Sequence, residues 1–378
     1  MKDVFKIVFI GSGVSTAVPN LNHILNGSNE PCPVCTDAMN PESKNRRNNV
    51  SIAVIFDSPT TDGGTDRTEK CVLVDVGKTM RDSCLRILPR HGVTEINAIF
   101  LTHGHADAVL GLDDVRDLQR SKPVSIPNPN ALVLPKTSPV DCQCCQPPGP
   151  TVDFSLLCQV CGGDKSEGKE EKASEAKQNI DPPMITGFEI LSGAMPIYLH
   201  QETMDVIKRQ FGYLTSPPEY LDELKGVLAR RVALLQFTVI EQNSNINIQG
   251  LKVRSVPVWH GGEYVSLGFA IGDAGEFVYI SDVKIIPEPT MLYLRSLPQI
   301  NTLVLDALNR GGIWPHMGLD EALAVVADLK PKCAYFTGMA CDMGFHEVVE
   351  AELAERAPHT HLAFDGLVLD GFKMGSHA

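Results

Sequence analysis

Residues Leu101-Thr102-His103-Gly104-His105-Ala106-Asp107-Ala108 space two imidazoles and a carboxylate at i, i+2 and i+4. They follow Asn97-Ala98-Ile99-Phe100, a short apolar run that reads as a buried strand. A turn at that strand end can bring the three side chains to one point. Neutral imidazole and carboxylate are the ligands of a catalytic divalent metal that keeps a position open for water. Other apolar runs end in the same way: Val72-Leu73-Val74 in Asp75, Pro257-Val258-Trp259 in His260, and Val278-Tyr279-Ile280-Ser281 in Asp282. Strand ends that each carry a metal-type side chain are poorly explained by packing, because a buried polar group without a partner costs stability.

Together these motifs resemble those of the metallo-β-lactamase-fold hydrolases. Within that superfamily the chain is most similar to the phosphodiesterase branch: the cyclic-phosphate phosphodiesterase of the carbon–phosphorus lyase pathway and, more distantly, the tRNA 3′-processing endonucleases. The resemblance runs from Gly11 to about Asp370 with one long insertion. It implies an α/β fold, a four-layer αββα sandwich, with the metal site along one sandwich edge. By the same resemblance His103, His105, His260 and Asp282 match the ligands of the first metal, which suits Zn²⁺, Mn²⁺ or Fe²⁺. Such an ion would acidify a bound water to hydroxide and polarise a phosphoryl oxygen. Asp75 matches an Asp expected to orient a ligand imidazole through its other ring nitrogen. His316, in Trp314-Pro315-His316-Met317-Gly318, matches a non-ligand His that donates a proton to the leaving oxygen. Asp306 ends the preceding strand and is placed to orient it.

The chain departs from the family at the second metal. Ala108 stands where the HxHxDH pattern has its last His, and Gly338 stands where a late His is usual. Asp107 and Asp282 remain as oxygen ligands, so a one-metal centre or a weakly held second ion is expected. His346, eight residues past Gly338, is either a partial substitute or a helix N-terminal His facing solvent.

The resemblance also implies a structural zinc on His23, Cys32, Cys35 and Cys341, a Cys₃His set in which two ligands have exchanged type. A redox role for Cys32-Pro33-Val34-Cys35 would need a thioredoxin-like pattern that is missing. Cys142, Cys144, Cys158 and Cys161, with Cys145 beside them, could form a second zinc knuckle or remain free thiols. Arg47, in a segment resembling one of the family, could grip a substrate phosphate, with a solvated basic turn as the alternative. Gly11-Ser12-Gly13-Val14-Ser15 lacks the Lys of a P-loop and reads as a turn at the site rim. His359-x-His361 reads as surface packing, and His200 is unassigned.

The elements that must position these groups follow from periodicity. Strands are expected at 4–11, 50–57, 71–76, 97–101, 195–199, 233–240, 248–258, 265–272, 276–281, 301–306, 332–337 and 361–364. Helices are expected at 79–88, 112–120, 201–210, 319–329 and 345–356. Residues 121–194 are rich in Cys, Pro and charge and read as a partly disordered insertion into a single domain spanning 1–378.

Bulk properties narrow the partners. A net charge of −13 repels phosphate backbones, so nucleic acid is disfavoured though not excluded. No apolar run reaches the ~18 residues of a membrane span, and the start reads as a first strand rather than a signal peptide. Eleven cysteines in such a chain suit thiols or zinc ligands, and a cytoplasmic location is expected. The expectation is a metal-dependent phosphodiesterase acting on a small or cyclic phosphodiester; a homodimer is one assembly open to it, and the sequence does not give the oligomeric state. Two alternatives stand beside it: a one-metal ester, thioester or lactone hydrolase, and an inactive, zinc-stabilised interaction protein.

Overall fold

The computed structural model describes residues 4–25, 31–59, 67–127, 184–215, 227–228, 231–273 and 275–374. In chain order the strands are β1 Val4–Gly11, β2 Ser51–Pro59, β3 Arg67–Val74, β4 Ala98–Phe100, β5 Ser121–Pro127, β6 Met184–Ile190, β7 Met195–Leu199, β8 Val227–Leu228 and β9 Leu235–Val239. They continue as β10 Asn245–Ile248, β11 Leu251–Trp259, β12 Val265–Ile271, β13 Phe277–Ile280, β14 Thr302–Asp306, β15 Cys333–Thr337, β16 Thr360–Leu362 and β17 Val368–Lys373. The helices are α1 Leu21–Leu25, α2 Pro33–Asp37, α3 Met80–Ile87, α4 Ala106–Val109, α5 Gln201–Gln210, α6 Gly212–Thr215, α7 Glu288–Ser296, α8 Leu319–Leu329 and α9 His346–Arg356.

Two seven-stranded sheets dominate, ordered β17-β1-β2-β3-β4-β7-β9 and β10-β11-β12-β13-β14-β15-β16. Each begins as an antiparallel meander and ends in parallel strands. Parallel neighbours need crossovers, and α3, α5, α7, α8 and α9 lie within those connections.

Alternation along the strands sorts side chains between two faces. Phe5, Ile7, Phe9, Ile52, Val54, Val72 and Val74 of the first sheet share a core with Leu267, Phe269, Ile271, Phe277 and Tyr279 of the second. Burial of each such Phe contributes about 1.5–3 kcal/mol over an exposed position. The opposite residues face helices. Val8, Ile55 and Leu73 pack with Met80 and Cys84 of α3 and with Met204 and Ile207 of α5. Val278, Ile280, Leu303 and Leu305 pack with α7, α8 and α9 through Leu294, Ala322 and Val349. The layers are therefore helix, sheet, sheet, helix.

Several expected elements take a different form. The run 248–258 breaks at Gln249-Gly250, both with positive φ (51° and 103°), into a two-residue hairpin between β10 and β11. Residues 112–118 form a 3₁₀ helix rather than an α-helix. Among the elements not anticipated are α7, which starts after Pro287, and β17, which closes the first sheet against β1. The expected insertion begins and ends in paired backbone: β5 and β6 are antiparallel in full register from Ser121↔Ile190 to Pro127↔Met184, with β8 beside β6. Residues 128–183, including Cys142, Cys144, Cys145, Cys158 and Cys161, lie outside the described residues. Among the described residues no helix is long and apolar enough to cross a membrane.

Candidate metal centre

The sheets place the polar strand ends at a common edge, where Leu267 N–H of the second sheet donates to Thr102 O of the first at 2.8 Å. His103 and His105 follow β4, His260 follows β11, and Asp282 follows β13. Ligand atoms of His103, His105 and His260 all lie within 4.8 Å of one another. Those of His260, Asp282 and His316 form a second such group, so His260 joins the two.

Hydrogen bonds fix which ring nitrogens face inward. His260 Nδ1 lies 2.8 Å from Pro315 O. A carbonyl only accepts, so Nδ1 carries the proton and Nε2 presents its lone pair, 3.2 Å from His105 Nδ1. Asp75 reaches the His103 imidazole through an intermediary, Thr102. Thr102 donates its N–H and its Oγ1–H to the two oxygens of the fully buried Asp75 carboxylate, each at 2.8 Å. With its proton committed, Thr102 Oγ1 accepts from His103 Nδ1–H at 2.8 Å. His103 Nε2 is left with a free lone pair and no hydrogen bond although buried, and so is Asp282 Oδ2. Buried polar atoms are normally satisfied. Two orphaned acceptors aimed into a cluster of imidazoles are what a divalent cation would satisfy.

Electrostatics agree with that use. Burial pulls His103 down to about 3 and lowers His105 and His260 as well, keeping these imidazoles neutral as a metal requires. Burial would raise Asp282, but His103, His260 and His316 outweigh it and hold the carboxylate below its usual range. Asp107, on the first turn of α4, is raised to about 6 by burial and then by Asp282. Its Oδ1 stands 3.9 Å from His103 Nε2.

His316 behaves differently. Its Nδ1 donates to Asp306 Oδ2 at 2.7 Å, and Val283 N–H donates to the same oxygen at 3.1 Å. Burial opposes the charge, yet Asp306 wins, with Asp282 and Asp107 assisting, and raises His316 to about 9. Asp306 thus favours the protonated ring, whose Nε2 is the nitrogen it leaves free.

The second-metal imidazoles are not replaced. Ala108 is buried in the helix-side core. Gly338 has φ +74°, and a Cβ there would stand 2.7 Å from Asp306 Oδ1. His346 neither substitutes for them nor faces solvent. It is buried against Phe364, 4.0 Å from Glu350, and lowered to about 4 by burial. His361 sits on the other oxygen of Glu350 at 3.2 Å. His200 precedes α5 as its N-cap.

A second cluster lies beside the centre. Ligand atoms of His23, Cys32, Cys35 and Cys341 fall within 4.8 Å of one another. His23 Nδ1 is 3.4 Å from the sulfurs of both Cys35 and Cys341, close to the ~3.5–3.8 Å between ligands in tetrahedral zinc sites. Val18, Val34 and Ala38 surround the cluster with a small apolar core. Burial raises the Cys35 thiol, and Cys341 rises to about 12.

Arg47 requires a correction. It is neither a phosphate grip nor a solvated turn, because its side chain is wholly buried. It donates to Ala340 O at 2.7 Å and to Gly344 O at 3.1 Å, clamping the loop that carries Cys341. Three thiolates and an imidazole around a divalent ion would carry one net negative charge, and Arg47 supplies a buried positive charge beside Cys35 and Cys341. The Gly11–Ser15 turn is also no phosphate cradle: Ser12 N–H is taken by Asp365 and Gly13 N–H by Asn48 O.

Thr102 and Tyr264 make contacts at the centre that sequence reasoning missed. Tyr264 stacks on His105 at 5.0 Å between centroids, and its hydroxyl accepts from Gly104 N–H at 3.0 Å. Thr102 had a readable signal, as a hydroxyl adjoining the first His at a strand end; Tyr264 had none.

The Beta-lactamase superfamily domain model matches residues 70–141 and 184–339, more than half of the chain. The chain belongs to the beta-lactamase superfamily. It is thus a metallo-β-lactamase-fold hydrolase, with side chains able to hold a divalent metal. The match to this superfamily skips 142–183, inside the segment that reads as an insertion. Among solved structures of the fold, a new diphosphatase from the PhnP family is similar over 99% of this chain and 100% of that one, with a TM-score of 0.61 and 24% identity. The metallo-β-lactamase fold protein YhfI from Bacillus subtilis is similar over 98% and 100%, with a TM-score of 0.52 and 12% identity. Both likenesses are of fold. A local match, 31% identical over 114 residues, links 30% of this chain to 18% of the Octanoyltransferase of Porphyromonas gingivalis (strain ATCC BAA-308 / W83). The matched part is under a fifth of that protein's length.

Proposed function

We propose that this superfamily member is a phosphodiesterase acting on a small or cyclic phosphodiester. One observation carries the reading: His316 Nδ1 lies 2.7 Å from the buried Asp306 carboxylate, which favours a protonated ring, and a His316 ring nitrogen is grouped with the ligand atoms of His260 and Asp282. An alkoxide is a poor leaving group and needs a proton as it departs, whereas a thiolate does not, so a charged general acid at the centre favours oxygen esters. The fold-level likeness to a protein described as a diphosphatase supports hydrolysis at phosphorus.

His103, His105, His260 and Asp282 would hold the metal, with Asp107 at its margin. A divalent ion there supplies Lewis-acid polarisation of the phosphoryl oxygen and acidifies a water. The chain's own residues do the rest. Thr102 and Pro315 O fix the inward nitrogens of His103 and His260. Asp306 keeps the proton on His316 until the leaving oxygen takes it from Nε2. The missing imidazoles at 108 and 338 favour a single ion. His23, Cys32, Cys35 and Cys341 would bind a structural zinc that pins the N-terminal loop to the rim of the centre.

The test is hydrolysis by the metal-reconstituted chain of bis(p-nitrophenyl) phosphate and a cyclic phosphodiester, beside a carboxylic ester and an acyl thioester. Phosphodiester cleavage that falls in His316→Ala is expected. Turnover of the carboxylic ester or thioester alone would give the ester-hydrolase alternative the site. No turnover with metal bound would favour an interaction protein.

A further inference from the structure

Trp314 lies beside the centre and is 73% exposed. An indole normally gains by burial, so one left largely in water at a catalytic edge calls for an explanation. The ring is nonetheless held. It lies on the Gly261-Gly262 turn that follows His260, where both glycines have positive φ (83° and 60°). A methyl on Gly261 would stand 2.6 Å from Trp314 Cζ3, and one on Gly262 3.4 Å from Cζ2, so the bare turn is what lets the ring lie down. The chain that follows Trp314 contacts the centre as well. Pro315 O receives the His260 Nδ1 proton, and His316 packs on His260 at 4.6 Å between centroids. A pinned aromatic surface thus lies against the residue after the metal-ligand candidate His260 and stands two residues before the general acid His316.

We propose that Trp314 is a specificity-determining residue: a platform on which a planar aromatic ring of the ester substrate stacks while its phosphorus sits at the centre. The inference rests on the phosphoester reading above. Stacking on an aromatic side chain is tolerant of ring identity and loses most of its strength when the side chain is truncated. The protein should therefore prefer esters bearing a nucleobase or a simple aryl group over alkyl esters with the same phosphodiester. The strong net negative charge of −13 argues for a ring on a small ester rather than on a long polynucleotide.

The chain contains only two tryptophans, Trp259 and Trp314, so indole fluorescence reports on this ring with one background residue. The experiment has two parts on the metal-loaded full chain. First, kcat/KM is measured for nucleoside, phenyl and alkyl phosphodiesters in wild type, Trp314→Phe and Trp314→Leu. The preference for ring-bearing over alkyl esters should fall roughly 5- to 100-fold in Trp314→Leu, mostly through KM, and survive in Trp314→Phe. An unchanged preference in a folded Trp314→Leu overturns the proposal, since an apolar cover for the glycine turn would then suffice. The nucleoside and phenyl arms show which kind of ring is preferred. Second, wild-type fluorescence is titrated with adenosine 5′-monophosphate, phenyl phosphate and ribose 5-phosphate, with Trp314→Phe reporting Trp259 alone. Saturable quenching by a ring-bearing phosphate but not by the sugar phosphate supports the platform; no difference between them overturns it. This second part stands even if no ester is cleaved, so failure of the phosphodiesterase reading and failure of the platform are separately visible.

Discussion

At the scale of single residues, the chemistry depends on protons held in place by neighbours that do not touch the metal position. Thr102→Val removes the hydroxyl linking Asp75 to His103 while keeping the side-chain shape. Metal affinity should weaken roughly 10- to 100-fold, as when an outer-shell partner is lost, measured by competition with a chelator. Unaltered affinity would deny the relay. His316→Ala should lower kcat about 10²- to 10⁴-fold with metal content retained; loss of metal instead would make His316 a ligand. The pH profile follows from two opposite shifts. Asp107, raised to about 6, takes a proton on acidification, so metal and activity fall below that pH. His316, raised toward 9, loses its proton on the alkaline side, earlier when a cation is near. Asp306→Asn removes the cause of that elevation and should move the alkaline limb to lower pH. The motif residues were legible because they end strands in sequence. Arg47 was misread because nothing local announces that a cation is buried under carbonyls 293 and 297 residues away.

Elements explain why a lost ligand is not easily restored. Gly338 follows β15 with φ +74°, where a Cβ would face Asp306 Oδ1. Gly338→His should lower Tm and add no metal, because a left-handed backbone costs a non-glycine residue roughly 1–2 kcal/mol and its Cβ would strike the carboxylate. A gain of one ion per chain would contradict this. If the proposed zinc sits on His23, Cys32, Cys35 and Cys341, Cys35→Ser should lower zinc content and Tm, read by elemental analysis and a melting curve; an unchanged zinc content would leave the cluster as plain thiols. Most strands and long helices were legible because periods of 2 and 3.6 mark them directly. The hairpin at Gln249-Gly250 was hidden by an unusual turn pair. β17 was missed because its pairing with β1 joins opposite ends of the chain, which no local pattern encodes. The ribbon of β5 and β6 was masked by the composition of the segment between them.

For the whole molecule, the sandwich brings strand ends from two sheets to one edge, so neither sheet alone assembles the centre. His103, His105 and Asp75 come from the first sheet, and His260, Asp282 and His316 from the second or its loops. The net charge of −13 sets the company the protein keeps. Binding to RNA should be weak and fall steeply with added salt. The central claim is a hydrolytic metal held across the two sheets. Its most direct test is metal content per chain by elemental analysis, wild type beside Asp282→Ala. Asp282 groups with His260 and His316 and not with the His23–Cys341 cluster, so the subtraction cancels any zinc held by that cluster. The account predicts a loss of about one ion. Loss of about two would mean that a second ion is held despite Ala108 and Gly338. No loss would contradict the account and leave His103, His105 and His260 without the ion their geometry calls for.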